Sequence, residues 1–140
     1  MVMDAGGHKV IVADSDRTVL ELLQIRLDVA GYHVCVARTG AAVLDTLKYL
    51  RPAALILDRN LAELDAFEVI QAMGRRGEKL PPTLVIGRNL AIEDIKFARS
   101  LGASDCMIKP FSGADVIERV GRMLRGASAQ TQRRVHYLNN

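Results

Sequence analysis

The chain has 140 residues, of which 49% are hydrophobic and 25% charged, as is ordinary for a water-soluble protein with one domain and a well-formed core. Its net charge of +3 is small and partly carried by the C-terminal tail, so the charge gives no reason to expect nucleic acid binding. No apolar run approaches the roughly 20 residues of a membrane span, and the first eight residues are too short and polar for a signal peptide. We therefore expect a cytoplasmic protein with no membrane association.

Strand and helix patterns alternate along the whole chain. The predicted strands are short apolar runs at Lys9–Ala13, His33–Ala37, Ala53–Asp58, Thr83–Ile86 and Cys106–Ile108. The predicted helices carry apolar residues at helical spacing over residues 19–30, 39–50, 65–73, 92–101 and 113–124. Five strand–helix units in series predict an α/β fold, a doubly wound five-stranded parallel sheet with helices on both faces.

The predicted domain runs from residue 9 to residue 126. Residues 1–8 are predicted to be a flexible N-terminus, and residues 127–140, which lack a clear apolar period, to be a mobile tail. Cys35 and Cys106 fall in the second and fifth strands. If these strands form opposite edges of the sheet, four strand spacings of about 4.8 Å separate the two thiols, far beyond disulfide reach. We predict that both cysteines are reduced packing residues.

Asp58 ends the third strand, which is a continuous apolar run before it. A charge at the end of a buried strand is costly unless it lies at a mouth that is open to solvent or ions. In parallel α/β sheets this mouth is at the carboxyl ends of the strands, where ligands bind. Two interpretations therefore stand side by side: Asp58 is a functional carboxylate, or it is the N-cap of the following helix.

Other polar residues follow the remaining strands and should reach the same edge of a parallel sheet. They are Asp14, Ser15 and Asp16 after the first strand, Gly87 and Arg88 at the fourth, and Lys109 after the fifth. Neighbouring carboxylates repel each other, and a divalent cation such as Mg²⁺ would relieve the repulsion. A lysine across from them suits a phosphoryl group. The pattern favours nucleophilic attack by a carboxylate on a phosphoryl donor, which gives an aspartyl-phosphate.

From Lys9 to Leu124 the chain resembles the receiver domain of response regulators, which belong to two-component signalling. The resemblance is carried by Val10-Ile11-Val12-Ala13-Asp14, Leu55-Ile56-Leu57-Asp58-Arg59-Asn60 and Met107-Ile108-Lys109-Pro110-Phe111, with Gly31-Tyr32 and Gly102-Ala103-Ser104-Asp105 at the expected intervals. It implies a flavodoxin-like sheet in the order 2-1-3-4-5. It also implies that the protein takes part in a phosphorelay, with a sensor histidine kinase or a phosphotransfer protein as its partner.

The resemblance further implies a role for each residue of the site. Asp58 would accept the phosphoryl group from a phosphohistidine, and Lys109 would contact that group. Asp14, Asp58 and the backbone carbonyl of Asn60 would bind Mg²⁺. The peptide bond between Lys109 and Pro110 would be cis, although only about 5–6% of such bonds are cis in folded proteins.

Several residues depart from the family's pattern. Ser15 replaces the second acid, which is the direct metal ligand, so we predict that Mg²⁺ binds weakly with Ser15 as a weak ligand. Gly87 replaces the Thr or Ser whose hydroxyl moves toward the phosphoryl group. Cys106 replaces the Tyr or Phe that rotates inward on activation, so both halves of the usual switch are missing. Ala62 and Ala66 replace a Pro and a Gly in the loop after Asp58, which could change the path of that loop.

Two further residues carry alternatives. Arg88 stands at the mouth of the pocket, where it could pair with Asp58 or Asp14, clamp a phosphoryl group, or be a solvated surface arginine. Phe97 lies off the core stripe of the fourth helix, on the surface that the family uses for output. It could anchor a partner or be a single exposed hydrophobic residue of the kind that is normal on surfaces.

We predict a stand-alone receiver that accepts a phosphoryl group on Asp58 and signals by protein–protein contact to a downstream partner through a non-standard switch. Two copies could pair through the output surface. The alternative is a phosphorylation-independent pseudo-receiver that acts as a constitutive adaptor. A small flavodoxin-like enzyme or nucleotide binder is the third hypothesis, but the loops lack a glycine-rich phosphate cradle, so we do not expect an enzyme. We expect no DNA-binding domain, because residues 127–140 are too few to form one.

Overall fold

The computed structural model describes the backbone of residues 7–138 and the side chains of residues 7–127. The strands are β1 (Lys9–Ala13), β2 (His33–Ala37), β3 (Ala54–Asp58), β4 (Thr83–Gly87) and β5 (Asp105–Ile108). The helices are α1 (Arg17–Val29), α2 (Gly40–Thr46), α3 (Ala66–Arg75), α4 (Ile92–Ser100) and α5 (Gly113–Leu138). Neighbouring strands are parallel and the sheet order is β2-β1-β3-β4-β5, so the predicted fold class and strand order are confirmed.

Each face of the sheet packs against its own layer of helices. Because side chains alternate along a strand, Ile11, Leu55 and Leu57 point to one face while Val10, Val12 and Ile56 point to the other. The first face packs against α2, α3 and α4, and the second against α1 and α5. Strands β3 and β4 are buried along their whole length. This burial explains why both read as unbroken apolar runs in the sequence.

Polar residues cap the first turns of α1, α2 and α3. Asp16 and Thr39 accept hydrogen bonds from backbone N–H groups in the first turns of α1 and α2. Asp65 accepts from Glu68 N, and Glu68 accepts in return from Asp65 N, which forms a capping box at the start of α3. The helix after β3 is therefore capped by Asp65, and the alternative that Asp58 is its N-cap is wrong.

Helix α5 differs most from its prediction. It continues to Leu138, whereas the sequence pattern placed its end at Leu124. The apolar period fades after Leu124, but residues 127–132 contain Ala and Gln and no proline, and this composition permits a helix to continue. Residues 1–6 of the predicted N-terminus and residues 139–140 of the predicted tail lie outside the described residues. Within the described part of the chain, no helix combines the length and the apolar character that a membrane crossing requires.

The loop between β3 and α3 is fixed against the start of α2. Gly40 N donates to Ala62 O (3.1 Å), and Thr39 forms a parallel β-bridge with Ala62. Glu63 adopts a positive φ of 70° between these contacts, and Leu64 N then donates to Ala62 O at 2.8 Å. The alanine at position 62 therefore serves as a backbone anchor for a loop whose path the sequence left open.

Candidate functional site at the carboxyl edge of the sheet

Asp14, Asp58 and Lys109 meet at the carboxyl ends of β1, β3 and β5. Lys109 Nζ lies 2.6 Å from Asp14 Oδ2 and 3.7 Å from Asp58 Oδ2. Asp14 is fully buried and Asp58 is 7% exposed. One ammonium group is therefore shared by two carboxylates, with the closer contact to Asp14. This is the cluster that the strand-end residues predicted.

Backbone hydrogen bonds beyond the strand ends hold these residues in place. Asp14 N donates to Ala37 O (3.2 Å), and Lys109 N donates to Gly87 O at 2.8 Å. The bond between Lys109 and Pro110 is cis, as the resemblance to the receiver family implied. Each side chain thus leaves a backbone that the neighbouring strand fixes, so the site geometry follows from the sheet register.

The electrostatics of the cluster are unbalanced toward negative charge. Burial raises the pKa of Asp58 above its ordinary value, and the nearby carboxylate of Asp14 raises it further. The Lys109 ammonium and the backbone N–H of Asn60, which is 3.4 Å from Asp58 Oδ1, oppose this rise in pKa. A carboxylate in this position is incompletely compensated, so it gains from any cation that enters the site.

The oxygen donors at this edge are few. Among the described residues, no three His, Cys, Asp or Glu side chains form a group that could hold a metal ion. Asp14 and Asp58 supply two carboxylates, and Asn60 follows Asp58 by two positions. Ser15 is exposed, and its carbonyl oxygen accepts from Arg38 Nη2 at 3.3 Å. Mg²⁺ binds proteins through one or two carboxylates and keeps several waters, so the two carboxylates suit this ion with water as the remaining ligand.

The family model for the response regulator receiver domain matches residues 10–121 of this chain. The chain belongs to this family. It is 34% identical over 131 residues to transcriptional regulatory protein PrrA of Mycobacterium leprae, which covers 91% of this chain and 56% of that protein. It is 33% identical over 117 residues to response regulator MprA of Mycobacterium avium, which covers 84% of this chain and 51% of that protein. The chain thus spans about half the length of the curated relatives it matches.

Solved receiver structures share the fold. The receiver domain of Francisella response regulator 1452 superposes with a TM-score of 0.79 at 21% identity, covering 86% of this chain and 98% of that one. The chemotaxis response regulator CheY4 of Vibrio cholerae gives a TM-score of 0.77 at 24% identity, covering 83% and 98%. These structures show that the fold is shared, and the family match over residues 10–121 shows that the chain is a response regulator receiver domain, so the resemblance read from its sequence is confirmed.

Arg88 and Asp16 lie at the mouth of this receiver but do not join the buried cluster. Asp16 Oδ1 accepts from Thr18 N (2.9 Å), so this acid caps α1 and does not replace the acid missing at Ser15. The Arg88 side chain is 74% exposed, and its Nη2 is 3.8 Å from Asp16 Oδ2. The hypothesis that Arg88 pairs with Asp58 or Asp14 in the resting protein is not supported, because its ion pair is the exposed one with Asp16.

The two departures at the switch positions have different surroundings. Gly87 is the last residue of β4, and a Cβ atom there would lie 3.2 Å from both Arg59 Cβ and Leu90 Cδ2. A side chain at position 87 would thus meet close neighbours. Cys106 is a half-buried free thiol that packs against the core on the α4 side of the sheet. Burial raises the pKa of this thiol, and the adjacent carboxylate of Asp105 adds to the shift.

Phe97 is 43% exposed on α4, and its ring meets the ring of Phe67 edge to face, with centroids 5.0 Å apart. The guanidinium carbon of Arg59 lies 4.1 Å from the centroid of the Phe67 ring. In the sequence, Arg59 was named only within the stretch that carries the family resemblance, and its contacts were not predicted. A sequence signal was lacking, because the partners of Arg59 lie further along the chain: Asp65 at the cap of α3, Phe67 in α3, and Asp94 in α4, which is 35 residues away.

Proposed function

We propose that this receiver accepts a phosphoryl group on Asp58 from a phosphohistidine of a sensor kinase or a phosphotransfer protein, and that it signals by protein–protein contact. The observation that carries the proposal is the placement of Asp58 Oδ2 at 3.7 Å from Lys109 Nζ, beside the buried Asp14. We further propose that the protein acts as a signalling module and not as an enzyme with its own substrate turnover.

The transfer step uses groups that this site contains. An oxygen of the Asp58 carboxylate attacks the phosphorus atom, and the bond between phosphorus and the imidazole nitrogen breaks. The electron pair of that bond stays with the imidazole of the donor, and an acyl phosphate forms on Asp58. Lys109 Nζ donates to an oxygen of the arriving phosphoryl group. Because Lys109 is already held at 2.6 Å by Asp14, it is oriented before the donor arrives.

Asp14, Asp58 and the carbonyl of Asn60 would hold a Mg²⁺ ion, which when bound supplies positive charge to neutralise the phosphoryl oxygens. Ser15 contributes no charge to this set. We therefore propose that Mg²⁺ binds weakly.

Ser15→Asp should tighten Mg²⁺ binding. The substitution adds a carboxylate next to Asp14, and an added attraction of about 1.4 kcal/mol corresponds to about tenfold in the dissociation constant. Isothermal titration calorimetry with MgCl₂ measures the change directly. Ser100→Asp adds the same charge to an exposed position on α4 and should leave Mg²⁺ affinity unchanged. Equal affinities in native protein and Ser15→Asp would contradict the proposed metal position.

Output should not use the hydroxyl-to-aromatic route, because Gly87 has no hydroxyl and Cys106 has no ring. We place the contact surface for a downstream partner on α4, where Phe97 is partly exposed. The same two departures favour a second candidate function, a constitutive adaptor whose partner affinity does not depend on phosphate.

Incubation with phosphoramidate and Mg²⁺, followed by intact mass spectrometry, tests the proposal. We expect the native protein to gain one phosphoryl group and Asp58→Asn to gain none. Asp45→Asn removes a carboxylate that is 70% exposed and pairs with Lys48, so it should behave as the native protein does. A cognate phosphorylated kinase or phosphotransfer protein replaces the small donor in a second arm. An adduct in neither arm would reject phosphoacceptor function and support the constitutive adaptor.

A further inference from the structure

We propose that Arg59 is the positioning residue that couples the state of Asp58 to the position of α4. The proposal rests on the proposed phosphoacceptor role of Asp58 and assigns the route by which that role reaches the surface. Arg59 directly follows Asp58 in the chain, and its backbone N–H donates to Ile86 O at 2.7 Å. Its backbone is thus tied to the end of β4, while its side chain is directed away from the sheet toward two helices.

The first helix contact is with α3. Arg59 Nη1 donates to Asp65 Oδ2 at 2.9 Å, and the side chains of the pair are 26% and 28% exposed. The guanidinium group also lies over the ring of Phe67, the second residue of α3. The guanidinium uses its planar face to stack on the ring and its N–H groups to donate to the carboxylate. A lysine has no planar face and cannot reproduce this arrangement.

The second helix contact is with α4 and is incompletely formed. Arg59 Nε lies 3.7 Å from Asp94 Oδ1, and this nitrogen is buried without a hydrogen-bond partner in the part of the chain that the structure describes. Asp94 Oδ2 meanwhile accepts from Ala91 N at the start of α4 (3.0 Å). One carboxylate thus caps α4 and faces Arg59. A shift of a few tenths of an ångström would complete or break this contact, because hydrogen bonds weaken steeply beyond their normal length.

Gly87 and the aromatic pair complete the connection. A Cβ atom at position 87 would lie 3.2 Å from Arg59 Cβ, so the glycine leaves room for the arginine in its observed position. Phe67, under the guanidinium, packs edge to face on Phe97 of α4. Arg59 therefore touches or borders the end of β4, the start of α3 and the start of α4. At position 87, where the receiver family has a hydroxyl side chain, a Cβ atom would be in close contact with Arg59.

Coupling between two sites is reciprocal, so a group that links Asp58 to α4 must transmit in both directions. Any rearrangement of the chain at Asp58 on phosphorylation moves the next residue, Arg59. The distance between its guanidinium and Asp94 then changes. A shorter distance stabilises the start of α4, and a longer distance loosens it. Removal of Arg59 should leave the acceptor carboxylate in place but break this link.

Hydrogen–deuterium exchange of α4 peptides, measured with and without phosphoramidate and Mg²⁺, tests the inference. In the native protein we expect exchange in α4 to change by about fivefold or more between the two states, as for typical coupled sites. In Arg59→Ala the adduct should still form, as checked by intact mass, while the change in α4 disappears. Arg51→Ala removes an exposed arginine that precedes β3, at the opposite edge of the sheet, and should retain the full change.

Two conservative variants cover the case in which Arg59→Ala does not fold. Arg59→Lys keeps the charge and should retain less than half of the response in α4. Asp94→Asn keeps an oxygen that can accept from Ala91 N but removes the charge facing Arg59, and it should weaken the response similarly. A full response in any folded variant of Arg59, at equal phosphoryl occupancy, would overturn the inference.

If the native protein takes up no phosphoryl group, the proposed function fails but the link can still be measured. Asp58→Asn changes the charge at the site without a donor. Its effect on exchange in α4 should then be present in the native background and absent in the Arg59→Ala background. Equal effects of Asp58→Asn in both backgrounds would overturn the proposal for Arg59 independently of phosphorylation.

Discussion

Gly40→Ala is expected to lower the free energy of unfolding by about 3 kcal/mol, the upper end of the usual cost of forcing extra atoms into a packed site. A Cβ atom on Gly40 would overlap the carbonyl oxygen of Leu64 and would lie 2.7 Å from Leu64 Cβ. The obstacle is backbone that is itself hydrogen-bonded to Ala62, so it cannot rotate away as a side chain could. Either α2 must tilt or the loop after Asp58 must move.

The measurement is equilibrium unfolding in urea, with Gly74→Ala as the matched control. Gly74 lies within α3, and a Cβ atom there would have no neighbour within 4 Å. The control should gain about 0.5–1 kcal/mol, because alanine favours a helix more than glycine does. A Gly40→Ala protein as stable as the native one would show that the loop after Asp58 yields at little cost.

Displacement of that loop should also disturb the contacts next to Asp58. The loop runs from Arg59 to Asp65, and both of these residues belong to the contacts that connect Asp58 with α3. Any Gly40→Ala protein that stays folded should therefore show altered exchange in the loop as well as lower stability. Unchanged exchange in this loop would place the strain in α2 instead.

The sequence was sufficient to predict the sheet, because burial on both faces makes parallel strands such as β3 and β4 continuous apolar runs. The meeting of Asp58, Asp14 and Lys109 was predictable for a related reason, since every strand of a parallel sheet ends at one edge. The end of α5 was not predictable from apolar periodicity, because the residues after Leu124 show no clear apolar period although the backbone stays helical. Leu124 ends the pattern but not the helix.

The partners of long charged side chains could not be predicted from the sequence. The sequence left several partners open for Arg88, and its ion pair is with Asp16, a residue that the sequence assigned no contact. The contacts of Arg59 with Asp65, Phe67 and Asp94 could not be predicted, because they depend on how α3 and α4 lie against the end of β3. Local sequence patterns predict which segments are strands and helices, but these side-chain contacts form only when the helices pack against the sheet.

Lys109→Met is expected to lower the free energy of unfolding by about 3 kcal/mol at neutral pH in EDTA, since removal of one partner of a buried ion pair leaves a buried charge unpaired. Asp14 is fully buried, and after the substitution its Oδ2 loses the ammonium at 2.6 Å. The backbone N–H of Asp16 still donates to Asp14 Oδ1 (2.9 Å), which limits the loss. Lys48→Met is the control, because the pair of Lys48 with Asp45 is mostly exposed and should contribute little.

Asp58→Asn should change stability in the opposite direction. Burial and the nearby Asp14 raise the pKa of Asp58, so its ionised form is less favourable in the folded protein than in the unfolded chain. Removal of this charge should raise the free energy of unfolding by about 1 kcal/mol, the size of the repulsion between two like charges about 4 Å apart in water. Lys109 reduces the gain but does not cancel it, because its closer contact is with Asp14.

The double variant Lys109→Met/Asp58→Asn then decides whether the three groups act as one unit. Without the Asp58 charge, the loss of Lys109 leaves only Asp14 uncompensated, so Lys109→Met should cost about 1 kcal/mol less than in the native background. The four proteins are compared by urea unfolding in EDTA at one pH. If the two substitutions add without interaction, Lys109 stabilises Asp14 alone, and the contact at 3.7 Å with Asp58 carries no energy in the resting protein. If Lys109 is shared by both carboxylates, the cycle must give a non-zero interaction energy, because removal of the Asp58 charge leaves the ammonium free to pair with Asp14 alone.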